Sequence, residues 1–411
     1  MADRKYSFDK SRIKVLFLEG IHDNAIRYFM DNGYTDIECC KEALSGKELE
    51  DKLQQAHIVG IRSRTELRKE VLQKAPKLIT IGCFSIGINQ VDVQDAKLLG
   101  IPVFNAPFSN TRSVAELVIA ECIMLMRSIP ERNALAHNKI WMKSVTNSVE
   151  VRGKILGVVG YGHIGSQVSI LAESMGMEVV YYDIVKKLSL GNAKALGSLN
   201  DVLRIADTVT LHVPSTELTR NMISNDQVAL MKKGACLINA SRGDVVDYKA
   251  VAEGLRTRHL AGVAADVFPS EPESNNEPFV TELQEFNNVI LTPHIGGSTL
   301  EAQANIALEV AEKLVKYSDT GSTIGAVNFV EISLLANTSK QRFLHIHKNV
   351  PGVLREINSF FSSRGINISA EYLQTDPDIG YVIIETESEL DASVLAELKN
   401  IPHTIRARMV Y

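Results

Sequence analysis

The sequence predicts an α/β protein of two parallel-sheet halves followed by a small βαββαβ module, and three patterns carry that expectation. Short apolar runs alternate with helix-like stretches from Ile13 to Phe104. A second series of six such runs begins near Gly153, and beyond about Lys340 the order of elements changes. At 411 residues the chain also exceeds what one hydrophobic core usually serves, so two or three domains are the starting expectation.

In the first block, residues 13–18, 57–61 and 78–81 read as strands, and the helices between them end at glycines such as Gly33 and Gly100. Continuous apolar runs, rather than alternating ones, mark strands buried on both faces of a parallel sheet. The second block offers residues 155–159, 178–182, 208–213, 235–240, 262–267 and 289–292, all rich in Val, Ile and Leu. Two similar halves imply a cleft between them. A helix is predicted over 113–128, and another after His294, opened by Ser298 with Glu301 three residues on in a capping-box pattern. These two helices are expected to bridge the halves and make the first domain discontinuous.

Residues 319–340 turn to Gly, Ser, Thr and Asn and read as linker or irregular structure. After them a strand (341–348), a helix (352–364), two strands (366–374 and 380–387), a helix (391–400) and a strand (403–411) follow the order of a ferredoxin-like fold. Val353, Leu354, Ile357, Phe360 and Phe361 form one apolar stripe on the first of these helices, and Gly365 stops it.

A net charge of -5 gives no broad positive field, which argues against nucleic acid or an anionic membrane as the main partner. Any anionic ligand must be held by local basic residues. The cysteines Cys39, Cys40, Cys83, Cys122 and Cys236 are odd in number and lack CxxC spacing, so reduced thiols are expected, with no disulfide framework and no metal. Residues 1–10 lack the apolar run of a leader, and no segment approaches the roughly 18 apolar residues of a membrane span, so a cytoplasmic location is expected.

Gly160-Tyr161-Gly162-His163-Ile164-Gly165 is a GxGxxG pattern between the strand 155–159 and a helical run over 167–175. Alone the pattern is weak. Its strand-turn-helix setting, with Asp183 ending the next strand, matches a Rossmann-like dinucleotide site. Glycines let the backbone approach a pyrophosphate, and helix N-terminal amides stabilise its charge. Asp183 can accept both ribose hydroxyls and would repel a 2'-phosphate, which favours NAD over NADP, although Lys186 and Lys187 stand nearby.

Arg242, Glu271 and His294 follow in order at or beyond the C-terminal ends of three predicted strands, the edge where open α/β sheets hold ligands. Hydride transfer to or from a 2-hydroxy acid needs an acid/base at the carbinol oxygen, a cation for the carboxylate and a group that tunes the base. An imidazole suits the first role, Arg242 can grip a carboxylate bidentately, and Glu271 can stabilise the imidazolium.

The segments Asn239-Ala240-Ser241-Arg242-Gly243, Asp266-Val267-Phe268-Pro269-Ser270-Glu271-Pro272 and Thr292-Pro293-His294-Ile295-Gly296-Gly297-Ser298 resemble the signatures of the D-isomer-specific 2-hydroxyacid dehydrogenases. The resemblance implies that Arg242 binds the substrate carboxylate, Glu271 supports the histidine and His294 is the acid/base. It also implies that Asp266 lies near the nicotinamide end, with Ala240, Ser241, Gly296 and Gly297 among the cofactor contacts. The domains it implies are a flavodoxin-like substrate domain (1–106 and 299–336), a Rossmann-like NAD domain (107–298) and a regulatory module (339–411).

Gly82-Cys83-Phe84, Asn89-Gln90-Val91-Asp92 and Phe104-Asn105-Ala106-Pro107 extend the resemblance to the phosphoglycerate-oxidising branch of that family. This implies that Arg62, Ser63, Asn110 and Gln303 contact the substrate, with Arg64 and Lys143 adding charge toward its 3-phosphate. Two strand-end arginines read alone would be a solvated edge. Lys143 follows Trp141, the only tryptophan, in a segment expected to reach a neighbouring subunit of a homotetramer. The implied reaction converts 3-phospho-D-glycerate to 3-phosphohydroxypyruvate at the start of serine synthesis, and some relatives also reduce 2-oxoglutarate. A glyoxylate or hydroxypyruvate reductase would share the same catalytic set, and a cofactor-sensing corepressor would share the fold without turnover.

The C-terminal block resembles an ACT domain, a small-molecule sensor. That resemblance implies L-serine bound between two such modules by His347, Asn349 and Asn367; a purely oligomerising module is the alternative.

Overall fold

The computed structural model describes residues 9–272, 277–335, 341–387, 390 and 392–410. Residues 1–8, and the 336–340 part of the expected linker, lie outside the described residues. The chain forms two compact units, Met1–Ser109 with Gln303–Tyr411, and Asn110–Ala302.

The first unit holds two sheets. Strands Val15–Phe17, Ile37–Cys39, Ile58–Ile61, Thr80–Cys83 and Val103–Asn105 (β1 to β5) form a parallel sheet in the order β2-β1-β3-β4-β5, which is flavodoxin-like. Apolar clusters cover both faces, one built on Leu16, Val59 and Ile81 and the other on Phe17, Phe29 and Phe104. The second cluster takes Val310 and Leu314 from the helix Leu300–Thr320. That helix is capped by Thr299, whose Oγ1 accepts the Ala302 N–H at 3.1 Å. Ser298, the predicted cap, is instead folded into the preceding turn, where its N–H reaches the Ile295 carbonyl.

The C-terminal sheet comprises Gln341–Lys348, Ile368–Thr375, Ile379–Thr386 and Thr404–Val410 (β13 to β16), antiparallel in the order β14-β15-β13-β16. Its helices Val353–Ser362 and Ala392–Leu398 pack on one face through Ile357, Phe361 and Leu398. The other face is covered by chain that reads as linker in sequence. Phe329, Ile332 and Leu334 pack there on Leu344, Tyr381 and Ile383, while the Thr323 hydroxyl donates to the Val330 carbonyl at 2.7 Å. A sheet with helices on one side must bury its second apolar face, and these residues do so without regular structure.

This module is also docked on the β1–β5 domain. Lys97, on the helix Val93–Leu98, bridges Asp376 at 3.2 Å and Asp378 at 2.5 Å, on the turn between β14 and β15. Arg406 donates to the Leu78 carbonyl, and Arg408 lies over the Tyr317 ring.

The second unit holds Ile155–Val159, Glu178–Tyr182, Lys194–Ala195, Thr208–Leu211, Ala235–Asn239, Leu260–Ala265 and Val289–Leu291 (β6 to β12). They form a parallel sheet in the order β12-β11-β10-β9-β6-β7-β8, the Rossmann arrangement with an added edge strand. The two-residue β8 carries too little apolar pattern to be visible in sequence. The predicted helix over 113–128 is Thr111–Met126, which packs Val118, Cys122 and Leu125 on one face of the sheet.

Glu121, on that same helix, is fully buried, and neither carboxyl oxygen has a hydrogen-bond partner among the described residues. Burial, reinforced by the negative charge of Asp266, pushes its pKa up to about 8. The native state therefore keeps a proton that the unfolded chain releases above about pH 4.5, so stability falls as pH rises from there to about 8. The penalty at pH 7 is roughly 3 kcal/mol. Glu121→Gln should remove this slope, and chemical denaturation at pH 5 and pH 8 should show the variant gaining on the parent as pH rises. A parallel pair of pH profiles would show that Glu121 is ionised in the fold.

Candidate active site

The dinucleotide end is built by β6 and the helix His163–Ser174, which starts inside the glycine motif, several residues before the predicted start. A Cβ on Gly165 would lie 2.2 Å from the Gly160 carbonyl oxygen, so only glycine lets the helix pack this close to the strand end. At Gly162, the N-cap residue, the same atom would meet nothing within 4 Å, and glycine brings no side chain of its own to cap the helix. Open space in front of a helix N-terminus fits a pyrophosphate. Asp183 accepts the Tyr161 N–H and the Val185 N–H, both at 2.8 Å, so it fixes the turn. A carboxylate has about four acceptor positions, which leaves two for ribose hydroxyls.

The candidate catalytic groups are assembled by close backbone approaches at the ends of β10, β11 and β12. A Cβ on Gly243 would lie 2.0 Å from the carbonyl carbon of Phe268, so the turn after β10 can press against the turn after β11 only with glycine there. Asn239 ties that turn by donating to the Arg242 carbonyl at 3.0 Å and to the Tyr248 hydroxyl at 3.1 Å. Tyr248 in turn donates to the Val267 carbonyl at 2.7 Å. Asp266, which is buried, accepts the Thr292 hydroxyl at 2.6 Å and the N–H groups of Ile295 and Gly296, both at 2.8 Å. It thereby pins the turn that carries His294.

Within this frame Glu271 Oε1 accepts the Phe268 N–H at 3.0 Å, and Oε2 meets His294 Nδ1 at 2.7 Å. His294 sits at φ 53°, a left-handed conformation that a non-glycine residue holds only when its surroundings impose it. The bond to Glu271 raises the His294 pKa above its ordinary value of 6.5, against a smaller opposing effect of burial. Burial pushes Glu271 up, yet the hydrogen bond and charge of His294, the Phe268 amide and the Arg242 charge together hold it below 4.5. Because Nδ1 is committed to the carboxylate, Nε2 is the nitrogen left for substrate. Half-buried Arg242 donates to its neighbouring Ser241 carbonyl at 2.6 Å.

The predicted residues in this unit are thus brought together: Arg242, Glu271 and His294, with Ala240, Ser241, Asp266, Gly296 and Gly297 around them. Asn110 lies against Gly297, where a Cβ would come within 2.4 Å of its Nδ2, and its buried Oδ1 has no partner among the described residues. Lys143 and Trp141 are exposed, Trp141 at 90%, so the only tryptophan stays out of its own core. In the other unit, Arg62, Ser63 and Arg64 form the loop after β3, and Gln303 lies near the start of the helix Leu300–Thr320.

His347 and Asn349 stand together at the end of β13. Asn349 donates to the Asp376 carbonyl at 2.6 Å, and a Cβ on Gly380 would meet the His347 ring at 2.3 Å. Asn367 precedes β14, whose start pairs through β15 with the start of β13. That places it roughly 25 Å from His347 at about 3.3 Å per strand residue, so one module does not unite the three. Sequence reasoning missed Asn239, Tyr248 and the bracing role of Asp266, which rest on contacts between distant turns.

Residues 119–296 match the family model described as D-isomer specific 2-hydroxyacid dehydrogenase, NAD binding domain, and residues 343–406 match the AHAS small subunit-like ACT domain. The chain is 55% identical over 407 residues to the D-3-phosphoglycerate dehydrogenase of Haemophilus influenzae, covering 99% of both chains. The chain belongs to the D-isomer specific 2-hydroxyacid dehydrogenases, in their D-3-phosphoglycerate dehydrogenase branch. It is also 54% identical over 409 residues to the Escherichia coli D-3-phosphoglycerate dehydrogenase, covering 99% of this chain and 100% of that one. Among solved structures, the D-lactate dehydrogenase from Aquifex aeolicus complexed with NAD and lactic acid is 29% identical, with a TM-score of 0.68 over 77% of this chain and 100% of that one.

NAD, when bound, supplies the hydride acceptor. An imidazole placed as His294 is, with Nε2 open, can take a carbinol proton in oxidation and return it in reduction, the first needing the neutral ring and the second the protonated one. Since Glu271 raises the His294 pKa, reduction should persist to higher pH than an ordinary histidine allows. Glu271→Gln should move the inflection in the reduction profile of kcat/KM to lower pH, and an unmoved inflection would break the assignment. His294→Asn should lower kcat by roughly 10²- to 10⁴-fold while NADH titration still shows binding.

Proposed function

We propose that this dehydrogenase oxidises 3-phospho-D-glycerate to 3-phosphohydroxypyruvate, the first step of L-serine biosynthesis, and that the domains divide as 1–106 with 299–336 for substrate, 107–298 for NAD and 339–411 for regulation. The observation that carries the substrate is the loop after β3. Half-buried Arg62 has no hydrogen bond or ion pair for its guanidinium among the described residues, and exposed Arg64 lies beside it. A half-buried unpaired cation is costly unless an anion completes it. The 3-phosphate is that anion, with Arg242 for the carboxylate and the unpartnered Oδ1 of Asn110 available to a hydroxyl. Ser63, Gln303 and Lys143 complete the proposed substrate contacts. Two arginines also suit a distal carboxylate, so 2-oxoglutarate reduction is proposed as a second activity.

The regulatory reading is feedback inhibition by L-serine, in a cytoplasmic homotetramer with Trp141 and Lys143 reaching a neighbouring subunit. The distance between Asn367 and the His347–Asn349 pair supports a site shared by two modules related by a twofold axis. Edge strand β14, with its outer half exposed, supports such sheet-to-sheet pairing. Asn349 holds the turn that Lys97 grips, a continuous path from effector residues to the β1–β5 domain.

Arg62→Ala should raise KM for phosphohydroxypyruvate roughly 10- to 100-fold, the worth of a charge-assisted hydrogen bond, and KM for hydroxypyruvate far less. Equal effects on both would overturn the phosphate assignment. Serine titration should lower the dehydrogenase rate with matching heat in calorimetry; neither inhibition nor heat would leave the module with assembly alone.

A further inference from the structure

The loop that carries Arg62 and Arg64 is organised by a carboxylate from another strand end. Glu19 follows β1 and is buried at 3% exposure, yet among the described residues it pairs with no buried cation. Its Oε1 accepts the N–H groups of Arg62 at 3.1 Å and Thr65 at 2.8 Å, and its Oε2 those of Ser63 at 3.1 Å and Arg64 at 2.9 Å. Four amides meet the four acceptor positions of the carboxyl group. The Arg64 side chain, about half exposed, comes only to 3.9 Å. Glu19 itself sits at φ 63°, and Gln90 holds the same loop from its other side by donating to the Arg62 carbonyl at 2.5 Å.

Successive backbone amides turned to one side form a concavity that binds anions. Left empty, this one would compete with the guanidinium groups for the substrate's phosphate or would collapse. We propose that Glu19 is a positioning residue for substrate recognition: it fills the amide concavity from inside the protein, fixing residues 62–65 so that Arg62 and Arg64 are presented together to the anionic group of the substrate. This rests on the assignment of both arginines to the substrate.

By charge alone, removing a carboxylate near an anion site should tighten anion binding. Loss of positioning should weaken it. Glu19→Gln keeps the shape but turns an NH2 group toward two of the amides. Its KM for phosphohydroxypyruvate should rise at least tenfold, with kcat within about twofold, NADH affinity unchanged, and KM for hydroxypyruvate changed less than threefold. A KM for phosphohydroxypyruvate that falls, or rises less than threefold, overturns the proposal, as does an equal rise for both substrates.

Should Glu19→Gln fail to fold, amide hydrogen exchange in the unaltered protein decides. Residues 62–65 exchanging as slowly as the neighbouring strand β3 supports the proposal, and exchange at the rate of an open loop overturns it. Failure of the substrate reading is seen separately, as an unaltered enzyme that does not prefer the phosphorylated acid; Glu19→Gln is then judged by the same threefold limit on KM for whichever oxo acid is turned over.

Discussion

The 2.7 Å hydrogen bond between Glu271 and His294 sets the imidazole's orientation and charge at the meeting of two turns. It depends on Gly243, which lets the turn after β10 lie against Phe268, and on Asp266, which gathers the turn of His294 through a hydroxyl and two amides. Both braces lie on strand ends of one parallel sheet. The sheet's contribution to chemistry is therefore positional: it brings a tuned imidazole, its carboxylate and a guanidinium to one edge, and holds His294 in a backbone conformation it would leave if released.

Four carboxyl groups show how donor count sets their behaviour. Glu19 meets four amides and Asp266 two amides and a hydroxyl, and both serve as struts for loops. Glu271 meets one amide and a titratable ring, so its charge is exchanged with the proton chemistry of His294. Glu121 meets no donor among the described residues and keeps its proton to about pH 8. The same functional group is brace, tuner or neutral packing element according to what faces it.

Much of this was legible in the chain. Strands β6 and β7 were read to the residue because Val- and Ile-rich runs are buried on both faces, whereas β9 to β12 were read one or two residues long at their C-terminal ends. Residues such as Val213, Ala240 and Val267 continue the apolar pattern but leave the ladder to form the site, and periodicity cannot see that. The choice of Thr299 over Ser298 as helix cap, the apolar role of Phe329 and Ile332 in a stretch of linker-like composition, and the grip of Glu19 on a loop more than forty residues away all depend on tertiary contacts. The cluster of Arg242, Glu271 and His294 was legible because its motifs sit at strand ends; the residues that brace it carry no local signal.

The most direct test is NADH oxidation measured side by side with phosphohydroxypyruvate, hydroxypyruvate, glyoxylate and 2-oxoglutarate. The account predicts kcat/KM for phosphohydroxypyruvate roughly a hundredfold above that for hydroxypyruvate, the difference Arg62 and Arg64 make through charge-assisted hydrogen bonds. Equal or better turnover of hydroxypyruvate or glyoxylate would contradict it.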